Sequence, residues 1–339
     1  MRAKYFLGAL ILTFGIVALA WYVGDPVQSV GAEDKQTKEA ISRGLDFLAQ
    51  SHHPYTFDDA YLQYLYPDEN LSCPLPNCQL SYRLLDAYFA VAMLRDRLSA
   101  KEKQSIQDVL EEQEAVFEIL LPTWRTAPIE GTLRSEAASS ESVALDTYCL
   151  LGYLTKDKAM AEHALEYLSP SGEWFAADHF TSDQWRNIAD ETWCIRLLAV
   201  TETYPEQFAN MVETKTIEVR GFLQSQKPVA EKIAAVYHVL LMIQEPGITQ
   251  SAEQIPVLQE TAAALIASAS TQLDAVTMAN SLEMLTLSHF STDSYVSGLR
   301  EGLLRSQSTD GAWRYGDDNQ YAVFATLRSL LGLTSDRVE

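Results

Sequence analysis

An all-α fold of about six helical hairpins is what the sequence predicts, and three observations predict it. Apolar residues recur at three and four positions from Glu33 onward, and no stretch alternates apolar and polar residues as a half-buried strand does. The helices implied by this spacing are of two kinds, one amphipathic and charged, the other apolar on nearly every side. A short register recurs in the apolar kind at intervals of 60, 45, 40, 43 and 45 residues, the range in which helical hairpins repeat.

At the amino end, residues 5–24 carry no charge, and twenty helical residues span a hydrocarbon core roughly 30 Å thick. Arg2 and Lys4 precede that run and acidic residues follow it, which keeps the amino end in the cytoplasm and sends the rest across. Val30-Gly31-Ala32 would suit a signal peptidase, but it lies past the apolar run, which is itself longer than the usual signal core. Residues 1–32 therefore read as an uncleaved signal anchor with a short linker, giving a single-pass membrane protein whose body lies outside the cytoplasm. If the segment is cut, the body is secreted. No Pro- or Gly-rich linker divides the remainder, so residues 33–339 read as one domain.

The first stripe of that domain is Ala40, Ile41, Gly44, Leu45 and Leu48. Charged helices are expected over 101–121, 156–168, 206–224, 253–268 and 295–307, alternating with apolar ones over 80–94, 143–154, 188–200, 233–243, 276–287 and 321–331. The helical pattern breaks near 122–135, which allows an extra segment there. A helix apolar on every side must be buried on every side, and an open stack of hairpins leaves one face of its inner helices in water. Closure of the inner helices into a ring, an α/α toroid, avoids this.

Cys73, Cys78, Cys149 and Cys194 are an even set, as suits an oxidising compartment. Cys73 and Cys78 enclose a short loop with two prolines that could hold a local disulfide. Cys149 and Cys194 read either as buried thiols or as a bridge between neighbouring helices. With 25 basic against 46 acidic residues and a formal charge of -21, the chain is a poor partner for nucleic acid or an anionic membrane surface.

Leu303 to Trp313 contains Gln307-Ser308-Thr309-Asp310-Gly311-Ala312-Trp313, which resembles the Gln-x-x-Asp-Gly-x-Trp repeat of squalene–hopene cyclases and protein prenyltransferase β subunits. Weaker echoes are residues 44–50, 221–226 and Leu168-Ser169-Pro170-Ser171-Gly172-Glu173-Trp174. The resemblance implies the toroid architecture of that superfamily. In the cyclases an Asp-x-Asp-Asp motif protonates the isoprenoid, and none occurs here. In the prenyltransferases an Asp, a Cys and a His bind zinc. Cys149, Cys194 and His238 lie on consecutive apolar helices near Asp146 and Asp190, but the local ligand motif is not matched. No metal and no cofactor are expected.

The register residues of the six apolar helices are Asp86, Asp146, Glu191, Glu231, Asp274 and Asn319. Glu231 and Asp274 suit first-turn positions, where a carboxylate favours the positive end of the helix dipole. Ser139, Ser140 and Ser142 offer earlier caps, so Asp146 is expected a turn or more inside its helix, as are Asp190 and Glu191. A carboxylate inside a buried helix needs a partner or a polar cavity. The leading expectation is an acidic, aromatic central cavity that processes a glycan or other small molecule, with Asp146 and Asp190 or Glu191 as acid and base. Asp86, Tyr88, Tyr148, Trp193, Asp274, His179, Tyr237 and Tyr321 are its candidate binding residues. The alternatives are a non-catalytic receptor or scaffold and a degenerate isoprenoid-binding relative.

Overall fold

Helices account for nearly all regular structure in the computed structural model, which describes residues 27–51, 82–129, 143–170, 172, 174, 184–248, 254–269, 273–287, 293–314 and 322–337. Among these residues there is no β-strand. The only pairing of that type is an isolated bridge between Ile129 and Val143. The order is α1 (Val27–Ser51), α2 (Tyr82–Arg97), α3 (Ala100–Ser105), α4 (Gln107–Arg125), α5 (Leu145–Thr155), α6 (Lys158–Ala164) and α7 (Gln184–Val200). It continues with α8 (Phe208–Leu223), α9 (Val229–Ile243), α10 (Gln254–Ala269), α11 (Ala275–Leu287), α12 (Asp293–Ser306) and α13 (Ala322–Leu333). The predicted anchor run, residues 5–24, lies outside the described residues, as do Cys73 and Cys78. Among the described residues no helix is long and apolar enough to cross a membrane.

The division into two kinds of helix matches the burial. From Leu145 to Gly152, α5 is buried at every position, and in α13 only Phe324 escapes full burial. By contrast, α8 buries Phe208, Met211, Val212, Lys215, Thr216, Val219, Phe222 and Leu223, one face at helical spacing, and exposes the other. The six apolar helices, α2, α5, α7, α9, α11 and α13, each pack on the next in chain order, and α13 packs back on α2. The amphipathic helices lie against their outer sides, and α12 touches α1. A disulfide between the fully buried Cys149 and Cys194 ties α5 to α7 across 45 residues of chain. Closing a loop of that length restricts the unfolded chain by about 4 kcal/mol in the chain-entropy description.

Local details depart from expectation for identifiable reasons. Instead of starting near Glu33, α1 already begins at Val27. The expected helix over 101–121 is two helices, because Ile106 leaves helical geometry (φ -122°) and drops its side chain into the core. Its first turn is held by a capping box, Ser99 with Glu102. The second part, α4, runs through Pro122 to Arg125 before the pattern stops.

The Gln-x-x-Asp-Gly-x-Trp segment binds the last hairpin to the first helix. The Gln307 amide donates to the Ala40 and Gly311 carbonyls (2.8 and 2.9 Å), and Arg43 donates to its oxygen (2.5 Å). The Trp313 indole donates to the Leu303 carbonyl (2.8 Å), and its ring lies where a Cβ on Gly44 would have to go. Arg314 beside Asp310 holds that carboxyl below its usual range, against a small opposing effect of burial. Residues 164–174 repeat the arrangement: the Trp174 indole donates to the Ala164 carbonyl ten residues back (3.1 Å), and Gly172, like Gly311, has a positive φ (85° and 90°). Gly172 faces Gln207 and Met211 of the following outer helix, whereas Gly311 lies against the Arg43 backbone of α1.

That contrast predicts an ordering. In left-handed backbone a non-glycine residue costs about 1–2 kcal/mol, so Gly172→Ala should lose that much in urea denaturation. Gly311→Ala should lose more, because its new methyl meets a backbone carbonyl that cannot step aside. Equal losses would show that the last turn does not press on α1.

Candidate functional site

Charged side chains inside apolar helices are where chemistry can sit, because each must find a partner or a polar space. Asp146 is fully buried, but it lies in the first turn of α5 rather than deeper, which corrects the expectation. The cause is the bridge to Ile129: the Val143 N–H donates to the Pro128 carbonyl (2.9 Å), so the chain stays extended to Ala144 and the earlier serines cannot begin the helix. Asp146 accepts from the Thr147 N–H and hydroxyl (2.6 and 3.1 Å). Asp274 caps α11, accepting from the Thr277 N–H and hydroxyl (2.9 and 2.7 Å).

Glu191 lies two turns inside α7, as expected, yet it turns outward and pairs with Lys215 on α8, which also meets Glu218. Asp190 is buried beside it. The aromatic residues are interior packing. Tyr148 stands edge-on to His163 (5.7 Å), and burial, with the nearby Asp157 charge adding, pushes its hydroxyl up to about 12. Trp193 is enclosed by Phe89, Tyr153 and His238. Tyr237 is buried and donates to Glu283. None of these offers the open ring face that a sugar needs. Asp86 and Tyr88 lie on α2, but their side chains, like His179 and Tyr321, fall outside what the structure describes.

The structure brings a different set together. At the carboxyl ends of the apolar helices lies a cavity of about 1240 Å³. Its deep part holds Arg97 and Arg196, only 6% and 4% exposed. Arg97 donates to Glu283 (2.6 Å) and to the Leu331 carbonyl (2.9 Å), while the Tyr237 hydroxyl donates to the other Glu283 oxygen (2.8 Å). Four of the six inner helices meet in that network. Burial raises the Tyr237 hydroxyl far above its usual range, with the Glu283 charge adding to it.

Arg196 forms the second network. Its Nε donates to Glu245 (2.6 Å) and its Nη2 to the Tyr153 oxygen (2.6 Å), and the Tyr153 hydroxyl donates to the same carboxylate (2.7 Å). The guanidinium lies 4.3 Å from the Tyr153 ring centre and 4.5 Å from that of Trp193, close enough for cation–π attraction. Burial pushes the Tyr153 hydroxyl up to about 12; the Glu245 carboxylate adds to this and Arg196 opposes it.

Around the opening are Lys38 and Ser42 of α1, Lys101, Gln244, Asp336 and Arg337. Arg337 contacts both Glu102 oxygens (3.0 Å each). Burial tends to raise the Glu102 carboxyl, but its bonds from Ser99 and Arg337 outweigh that and hold it below the usual range. None of Asp146, Asp190, Glu191 and Asp274 lines this cavity. Sequence reasoning missed Arg97, Glu283, Tyr153 and Glu245 as a group; a charge in an apolar helix was the signal that could have found Arg97 and Glu283, whereas Glu245 lies past the end of α9 and Tyr153 carries no charge. Among the described residues no cluster of three His, Cys, Asp or Glu is placed to hold a metal, and the disulfide removes both thiols that a zinc site would have used. The chain matches no protein-family model, and comparison with curated proteins returns no match.

Two outcomes follow. Arg97→Met leaves Glu283 charged and buried and should cost about 3–5 kcal/mol in chemical denaturation. Arg97→Met with Glu283→Leu should cost less than the single change; a double variant less stable than the single would mean the pair is not the unit that matters. In alkali, unfolded tyrosine ionises near 10, so the stability that the protonated Tyr153 contributes is complete below that value and lost as pH rises through about 12. Ultraviolet titration of Tyr153→Phe should lack one late-ionising phenol, and an unchanged curve would show that hydroxyl already open to water.

Proposed function

We propose that the chain is a membrane-tethered, extracytoplasmic α/α toroid that binds a polar small-molecule or glycan-type ligand in its cavity without cleaving it. The toroid reading is supported by the circuit of contacts through the six apolar helices. It is also supported by the shared Gly–Trp turn, which joins the last outer helix to the first much as it joins two consecutive outer helices. The compartment reading is supported by the uncharged run at residues 5–24 and by a disulfide sealed in the interior, a pairing that oxidising compartments favour.

One observation carries binding over catalysis. Hydrolysis of a glycosidic bond needs two carboxyl groups facing each other roughly 5–10 Å apart across the substrate, with an acid and a base in different protonation states. The carboxylates that hold this cavity's two buried arginines, Glu283 and Glu245, are each committed to an arginine and a tyrosine. Of the acids expected to act, Asp146 is engaged with its own helix start and Glu191 with Lys215, and Asp190 does not line the cavity; Asp274, an expected binding residue, caps α11. A cavity whose buried carboxylates are already engaged can hold a polar molecule but, among the described residues, has no buried acid–base pair spare for proton transfer.

The test is a thermal-shift and equilibrium-dialysis screen of soluble oligosaccharides and small polar metabolites against the purified full-length chain, with product analysis alongside. Binding without conversion is expected, unaffected by Asp146→Asn or Asp190→Asn. Release of new reducing ends or unsaturated products that disappears in either variant would overturn this reading in favour of a hydrolase or lyase.

A further inference from the structure

Taking the binding reading as its basis, the structure assigns a chemical class to the ligand: we propose that the cavity takes a carboxylate-bearing molecule and that Arg196 is the residue that holds the carboxylate. Arg196 has five N–H groups in a fixed fork. Nε and Nη2 are used by Glu245 and Tyr153, but Nη1 is buried and has no acceptor among the described residues. An unmatched donor on a buried cation is costly, because it has given up its water and gained no acceptor. An oxygen supplied from the cavity that Arg196 lines removes that cost.

The charges around it choose the ligand's sign and size of charge. Lys38, Arg97, Lys101, Arg196 and Arg337 line the cavity against Asp96, Glu102, Glu245 and Asp336. Arg97 is answered by Glu283 behind it, so in a chain of net charge -21 the cavity's cations and carboxylates balance locally. A lining near neutrality accepts a monoanion, whereas a phosphate dianion meets four carboxylates. The stacking of the guanidinium on Tyr153 and Trp193 fixes the plane in which Nη1 presents its hydrogens, which suits a planar carboxylate. At about 1240 Å³ the cavity exceeds the ~300–1,000 Å³ of ordinary small-molecule sites, so it has room for a body larger than the anchored group. This replaces the acidic, aromatic cavity expected from the sequence with one that takes an anion.

Trp193 stacks directly on Arg196 and reports the event by fluorescence. The probes are glucuronate, galacturonate and acetate, with glucose as the neutral counterpart, titrated into the full-length chain in detergent. At least one carboxylate is expected to bind tenfold or more tightly than glucose, with affinity falling as salt is raised. Arg196→Lys, which keeps a cation beside Glu245 but cannot present Nη1, should weaken that probe about tenfold. Lys101→Glu, an exposed change that leaves both buried networks intact, should weaken it several-fold and guards against a misfolded Arg196 variant. Equal binding of glucose and the carboxylates overturns the anionic class while the binding reading stands. Binding of no compound, either here or in the wider screen, overturns both.

Discussion

A helix with no polar face has to find neighbours on every side, and six such helices in one chain impose that demand six times over. α5 meets it with uninterrupted burial from Leu145 to Gly152, and α13 does so with burial at every position but Phe324. The demand cannot be met by a row, because the two end helices of a row keep a bare side. It is met here because α13 returns to α2 and α12 reaches α1. The Gln307–Trp313 turn is the physical device for that return: it links chain segments more than 260 residues apart through Gln307 and Ala40, with Gly311 pressed on the Arg43 backbone and the Trp313 ring on Gly44. A bulkier residue at Gly44 or Gly311 would push the two ends of the circuit apart.

Closure has an electrostatic consequence. Helices that bury all their sides also bury any charge they carry, and the charges survive only as matched sets. Arg97, Glu283 and Tyr237 come from three different helices, and the Leu331 carbonyl comes from a fourth. Satisfying that network requires all four to be in position at once, so it selects one register of the circuit over its neighbours. The Arg196 network does the same for α5, α7 and the end of α9, next to the disulfide that already fixes α5 against α7. In this second network the Nη1 of Arg196 is left over among the described residues. The interior is rigid where it is matched and receptive where it is not.

How much of this could be read from sequence depended on the kind of signal. Periodicity and polarity separated inner from outer helices, because burial on all sides removes polar residues from a whole segment, and that survives in the composition. Boundaries were less legible where tertiary contacts override local preference. Three serines upstream of Asp146 are good caps, yet the bridge from Val143 to Ile129 keeps the backbone extended and shifts the helix start to Leu145. The direction of a side chain was less legible still. Helical geometry turns about 100° per residue, so Glu191 and Trp193, two apart, fall on opposite faces of α7. One meets Lys215 outside and the other the interior. Reading both as members of one cavity ignored that angle. The arginines were overlooked for a related reason: a buried carboxylate was taken as a sign of chemistry, while Arg97 and Arg196 carry the same penalty for burial and the same implication.

The cavity's place along the chain sharpens what its charge means on the tethered reading. Lys38, Ser42 and Leu45 line it from α1, and Lys38 is about 16 Å along that helix from Val27 at 1.5 Å per residue. Two residues, Asp25 and Pro26, separate Gly24, the end of the uncharged run, from the helix start at Val27, and fully extended chain covers at most about 3.6 Å per residue. A cavity bounded by Lys38 is then held within about 30 Å of the bilayer whatever the tilt of α1. Over that distance a body of net charge -21 is repelled by anionic headgroups, a repulsion that salt screens within about 10 Å.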